Sequence, residues 1–162
     1  DDRYSIRPSA ADEYPEMFEA PDTFVRAIKI ERTFWEKITI LHQEHFRTSR
    51  HTTPARYSRH YYDTCMMARH SEDCRAALKL PDLLQRVVEH KQRFYPRRWA
   101  RYDLAVPATL QLMPSDDWLD YLRRDYGEMQ VMMFGDPPSW DDILDGLRTL
   151  RDDIRAMPTA RC

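Results

Sequence analysis

Glycine is nearly missing from this chain. Only three of 162 residues are glycine, none precedes Gly127, and eleven are proline. Tight hairpins and phosphate-cradling loops depend on glycine because it alone enters left-handed backbone without steric cost. A chain so poor in it is left with helices joined by proline-marked loops. Hydrophobic residues at 42% and aromatics at 12% are enough for a packed core and argue against disorder. The sequence therefore predicts a mainly α-helical fold.

Periodicity places the elements. Phe24–Ile30 alternates apolar and polar residues well enough to be a strand, the one strand expected, and it reads as the last strand of a sheet continued upstream. Residues 32–47 read as a helix, with Thr33 as N-cap and Glu36 closing a capping box. Its face is Phe34, Ile38, Leu41 and His45, with Trp35 alongside. Thr48 to Pro54 is a polar loop. A second helix runs from about Ser58 to His70 and a short one from Asp73 to Leu78. Pro81 suits the first position of a long helix ending near Phe94. Pro96 to Pro107 is irregular. Ser115 or Asp116 opens a helix carrying Trp118, Leu119, Leu122, Tyr126 and Met129, and Gly135 with Pro137-Pro138 follows it. Ser139 then caps a final helix with Ile143, Leu144, Leu147, Leu150 and Ile154 on one face. The division expected is 1–30, the end of a mixed core, and 31–162, a helical domain.

Several function classes recede. A net charge of −2 does not mark the whole chain as a nucleic-acid binder. No apolar run approaches the roughly 20 residues of a membrane span, and no basic-then-apolar leader opens the chain. Cys65, Cys74 and Cys162 are odd in number and lack CxxC spacing, so a reducing cytoplasm is the expected setting, without zinc or disulfides. His42 and His45 are three apart without an evident third ligand, and His51, His70 and His90 show no ligand spacing. The pairs Asp116-Asp117, Asp141-Asp142 and Asp152-Asp153 read as first-turn or solvated acids rather than a metal site.

Two segments set charged groups against large aromatics, which is costly in a core and common in a site. The first is Glu31-Arg32-Thr33-Phe34-Trp35-Glu36-Lys37. Lys37 sits on a largely apolar helix surface, from which it either snorkels to solvent or aims its ammonium at a phosphate. The second is Arg59-His60-Tyr61-Tyr62-Asp63, with Arg56 just before it. Arg59 and Asp63 are four apart, the spacing of an ordinary surface pair. His60 and Asp63 are three apart, so the carboxylate is placed to orient and charge the imidazole.

These two segments resemble the third and fourth motifs of the AbiEii/AbiGii toxin family of nucleotidyltransferases, an aromatic-apolar Glu-Lys helix followed by an Arg/Lys-Asp-aromatic-Tyr-Asp string. The resemblance continues through Leu83 to Lys91, Phe94-Tyr95, Arg101-Tyr102-Asp103, Asp125-Tyr126, Met129, Met132 and Phe134-Gly135. One departure is that His60 stands where the fourth motif has an acid. Another is that no Gly-Ser loop or paired metal-binding acids lie upstream. The resemblance thus implies the C-terminal portion of such an enzyme, with its Mg²⁺ ligands in an N-terminal lobe outside these residues and no metal ligand within them. It implies an abortive-infection toxin, restrained by an antitoxin protein, that transfers nucleotides from NTP to an RNA acceptor, tRNA foremost. Lys37, Asp63 and His60 would then be catalytic, with either His60 or Asp63 in the role of the acid. Glu36, Arg59, Arg56 and Tyr62 would bind substrate.

The stretch from Arg86 to Arg101 interleaves basic residues with Phe94, Tyr95, Trp99 and Tyr102. Arg97, Arg98 and Arg101 are its candidates for contact with an RNA backbone, against the plainer reading of a charged loop with buried rings. A helical RNA- or protein-binding module without chemistry, or a degenerate remnant, remains the alternative.

Overall fold

The structure, a computed structural model, describes residues 2–48, 54–133 and 135–157. Most of the loop expected after Thr48 lies outside those residues, as do His51, Phe134 and Cys162. Contacts divide the chain into two compact units, residues 1–30 and 31–162.

In the first unit, β1 (Asp2–Ile6) pairs antiparallel with β2 (Thr23–Ala27), with Tyr4 opposite Val25. The single expected strand thus becomes one of two, and its partner is supplied from within the chain. A short helix, α1 (Ala10–Glu13), and a 3₁₀ turn at Pro15–Met17 connect them. Arg7 ties this connection together, reaching Asp12 at 2.7 Å and Asp22 at 3.2 Å.

Among the described residues the second unit carries the helices α2 (Ile30–His45), α3 (Arg59–His70), α4 (Glu72–Ala76), α5 (Pro81–Phe94), α6 (Asp116–Met129) and α7 (Trp140–Arg155). Together with the strand pair this is a mainly α fold. Pro81 opens α5, and Leu84, Val87 and Val88 form its buried face. α7 begins with a complete capping box, Ser139 accepting from the Asp142 N–H while Asp142 accepts from the Ser139 N–H, each at 3.1 Å. Its apolar face, Ile143 to Ile154, is buried as expected.

α2 is the central helix. Phe34, Trp35, Ile38 and Leu41 are fully buried, and each such side chain adds roughly 1.5–3 kcal/mol of transfer free energy. The Trp35 indole N–H donates to the Ala77 carbonyl at 3.2 Å, which joins α2 to the turn before α5. Thr39, His42, Gln43 and Glu44 are buried too, so polar residues of α2 also face protein. Each has a partner, as a buried polar group requires. His42 bridges the irregular segment after α5: the Gln111 N–H donates to its Nδ1 at 3.1 Å, so Nε2–H is the donor to the Arg101 carbonyl at 2.9 Å. Burial is the main force holding this imidazole below its usual pKa. His45 donates from Nδ1 to the Met113 carbonyl at 2.9 Å. The two histidines are fasteners between helix and loop.

The expected cap at Thr33 does not form. α2 starts three residues earlier, at Ile30, so Thr33 lies inside its first turn and Glu36 is paired along the helix with Arg32 at 3.0 Å.

Candidate active site

The apolar faces fix how α2 and α3 are rotated. Trp35, Ile38 and Leu41 turn one side of α2 inward, and Tyr61 and Cys65 do so for α3, with Tyr61 edge-on to Trp140 at 5.6 Å. Lys37 and Asp63 emerge on the remaining sides and meet. The Lys37 ammonium donates to Asp63 Oδ2 at 2.6 Å, with 21% and 32% of the two side chains exposed. The two motif segments are thus joined at their charged ends, by Lys37 and Asp63, which are 26 residues apart. The pair is open enough to solvent that its own contribution to stability is on the order of 1 kcal/mol or less.

This pairing displaces two others. Arg59 and Asp63 make no surface bridge, because the carboxylate is turned to Lys37; Arg59 is exposed, without hydrogen bond or ion pair among the described residues. Asp63 does not charge His60 either. The imidazole is pushed down to a pKa of about 4, first by burial and then by the Lys37 and Arg59 cations, which outweigh Asp63 and Glu44. His60 is therefore neutral at pH 7. Its Nδ1 is buried without a hydrogen-bond partner, and its ring lies edge-on to Tyr57 at 4.8 Å.

The other candidates divide. Glu36 faces Arg32 with its side chain, while its backbone carbonyl accepts from Lys91 Nζ at 3.1 Å. Burial lowers the Lys91 pKa to about 8, Glu36 and Glu44 opposing the shift and Arg97 adding to it. Tyr62 is half-buried, its ring 6.4 Å from that of Tyr126, so it serves packing. Arg56 has an exposed side chain on left-handed backbone, φ +62°.

Arg97 and Arg98 are exposed and line a groove of about 250 Å³ with Gln92, Pro96, Tyr102 and Asp103. Arg97 lies over the Trp99 ring at 5.6 Å. Phe94 and Tyr95, beside the groove in sequence, are 59% and 60% exposed, and Arg93 lies over Phe94 at 5.4 Å. Arg101 differs from its neighbours: Asp103 holds its guanidinium at 3.0 Å. Behind this loop Arg47 and Glu44 form a buried ion pair, and Arg47 sits between the Trp99 and Tyr57 rings at 4.8 and 5.5 Å.

One residue that sequence reasoning left without a role is Asp125 on α6. Its carboxylate accepts from the Arg56 N–H at 2.6 Å, the Ser58 N–H at 2.9 Å and the Ser58 hydroxyl at 2.5 Å. The signal was there: Asp125 falls three after Leu122 and four before Met129, on the apolar stripe of its helix.

No group of three or more carboxylate, imidazole or thiol side chains suited to a metal ion occurs among the described residues. The paired aspartates are engaged elsewhere or solvated: Asp141 bridges Arg123 at 2.7 Å, Asp142 caps α7, and Asp152 accepts from Arg151. Among the described residues no helix is long and apolar enough to cross a membrane.

A family model described as the nucleotidyl transferase AbiEii toxin of type IV toxin–antitoxin systems matches residues 1–146, which take in both motif helices and Asp125. No curated protein and no solved structure matches the chain. With nearly its whole length matched, the chain belongs to the AbiEii family of nucleotidyl transferase toxins.

Proposed function

We propose that the face carrying Lys37, Asp63 and His60 takes part in nucleotidyl transfer from NTP to an RNA acceptor, with tRNA the foremost candidate, and that a cognate antitoxin restrains this activity. In such a transfer a ribose 3′-oxygen attacks the α-phosphorus, the bond to the β-phosphate breaks and pyrophosphate leaves. Lys37 offers a point charge to the triphosphate oxygens. When it does so it leaves Asp63, whose carboxylate is then available to take the hydroxyl proton. His60 suits that role less, since its free nitrogen is buried and its proton affinity low. Arg59, four residues before Asp63, and Arg56, just ahead of α3, are exposed cations, and Arg97 and Arg98 with Phe94 and Tyr95 offer charge and stacking rings to single-stranded RNA. Mg²⁺ on the triphosphate belongs to this chemistry. The described residues do not fit it, because no suitable cluster converges among them.

The observation that carries the reading is the 2.6 Å contact between Lys37 and Asp63, which joins the charged ends of the two motif segments. The test is Lys37→Ala in the native gene product, followed by growth arrest and by labelled-NTP incorporation into RNA. A loss on the order of 10²-fold or more is expected; full toxicity refutes the reading. Retained toxicity together with RNA binding that vanishes in Arg97→Ala/Arg98→Ala would favour a non-catalytic RNA-binding module instead.

A further inference from the structure

α3 begins without a cap of its own. The four leading N–H groups of a helix have no partner within it, and a serine before the first turn ordinarily accepts from one of them. Ser58 stands in that place but its hydroxyl caps no N–H of the helix; its backbone is already helical, φ −57° and ψ −24°, and the hydroxyl donates to Asp125. Both Asp125 oxygens are occupied, Oδ1 by the Arg56 N–H and Oδ2 by the Ser58 N–H and hydroxyl. The carboxylate is 7% exposed and lies at the positive end of the helix, where a negative charge is favoured. Three donors compensate its desolvation.

The same contact holds Arg56 at φ +62°, which a residue with a Cβ keeps only when its surroundings enforce it. The next residue of α6 adds a second brace, Tyr126 packing on the Tyr62 ring. Thus α6 determines where the chain turns into α3 and how the first two turns of α3 are rotated. Those turns carry His60 and Asp63.

We propose that Asp125 is a positioning residue of the transferase site: by holding the backbone of Arg56 and Ser58 it fixes the start of α3, and so sets Asp63 against Lys37. This rests on the function proposed above. It also adds an element to the site that touches no substrate.

Asp125→Asn tests it, because an amide has one acceptor oxygen and must abandon either Arg56 or Ser58. On the native gene product, hydrogen–deuterium exchange of residues 59–63 is expected to quicken while α7 keeps its protection. In single-turnover assays with labelled NTP, transfer is expected to fall about ten-fold or more, as small displacements at a reacting centre do. That loss should largely disappear when Asp63 is already Asn, since Asp125 acts through it. Unchanged exchange in residues 59–63, or losses that simply add, would overturn the proposal. If Asp125→Asn does not fold, Ser58→Ala removes one of the three bonds and leaves the carboxylate in place. It should show a smaller change of the same kind, and wild-type exchange and transfer there would also overturn the proposal. Active Lys37→Ala protein would remove the transferase reading, while the exchange result would still decide whether Asp125 holds α3.

Discussion

Lys91 on α5 donates its ammonium to the backbone carbonyl of Glu36, the residue next to Lys37, at 3.1 Å. One lysine thus braces the turn of α2 that presents another. The brace is made by a half-buried cation whose pKa falls from 10.5 to about 8. Between those values the unfolded chain holds a proton that the folded chain has released. Stability therefore rises with pH through that window, and the charged form is the less favourable one below it.

Lys91→Met should lack that rise. Urea unfolding at pH 7, 8, 9 and 10 is expected to show wild type gaining on the variant as pH increases. At pH 7 the variant should be at least as stable as wild type. A constant difference across the series would place Lys91 in water rather than against α2.

His60 works in the opposite pH range. Its imidazole is lowered from 6.5 to about 4 on folding. As pH falls through that interval the unfolded chain takes up a proton that the folded chain refuses, so stability is lost, and below about 4 the loss levels off. His60→Gln should flatten this acid limb relative to wild type in thermal melts at pH 7, 5.5 and 4. Equal limbs would mean that His60 titrates normally.

At Gly146, α7 passes close to α3. A Cβ there would stand 2.7 Å from Cys65 Sγ and 2.9 Å from Arg69 Nη2. Alanine gains about 1 kcal/mol of helix propensity over glycine. Overpacking costs about 1–3 kcal/mol, and the short Cys65 side chain has little room to yield. Gly146→Ala should therefore destabilise by about 1 kcal/mol net in chemical denaturation. Adding Cys65→Ala should restore most of it. A stabilised Gly146→Ala would mean the helices separate freely.

Arg97 and Arg98 give a salt-dependent signature if they meet phosphates. Each replacement by alanine should lower the slope of log affinity for single-stranded RNA against log salt by about 0.7. Arg101→Ala should change that slope less, because Asp103 already holds its guanidinium. Equal effects from all three would mean that Asp103 gives way on binding.

What could be seen in advance follows from how local each signal is. Ser139 and Asp142 sit three apart and cap one another, so the start of α7 is written in adjacent residues. Pro81 and the Leu84–Val88 face mark α5 in the same way. β1 carries no such mark. Tyr4 and Ile6 are 47% and 51% exposed, so the strand is held by backbone pairing rather than by a buried face. The Thr33 capping box is plausible locally, but the helix begins upstream at Ile30, after Lys29, a residue type that does not mark a helix start. The contact of Lys37 with Asp63 spans 26 residues and Asp125 reaches back 67 to Ser58. Pairings at that range depend on the rotation of packed helices, which periodicity gives only to within a turn. His60 shows the same limit: spacing put it beside Asp63, and packing surrounded it with Lys37, Arg59 and Tyr57.

Among the described residues, the non-glycine positions on left-handed backbone are Arg56 and Arg101. Glycine would rest there more easily by about 1 kcal/mol, yet in a chain so short of glycine both places hold the longest cation available. Selection for heat resistance or yield alone would thus favour discarding these two arginines early. A thermostabilised variant chosen without an activity screen is expected to arrive with a blunted basic surface, and its added robustness would be a warning sign for anyone using it to study the toxin.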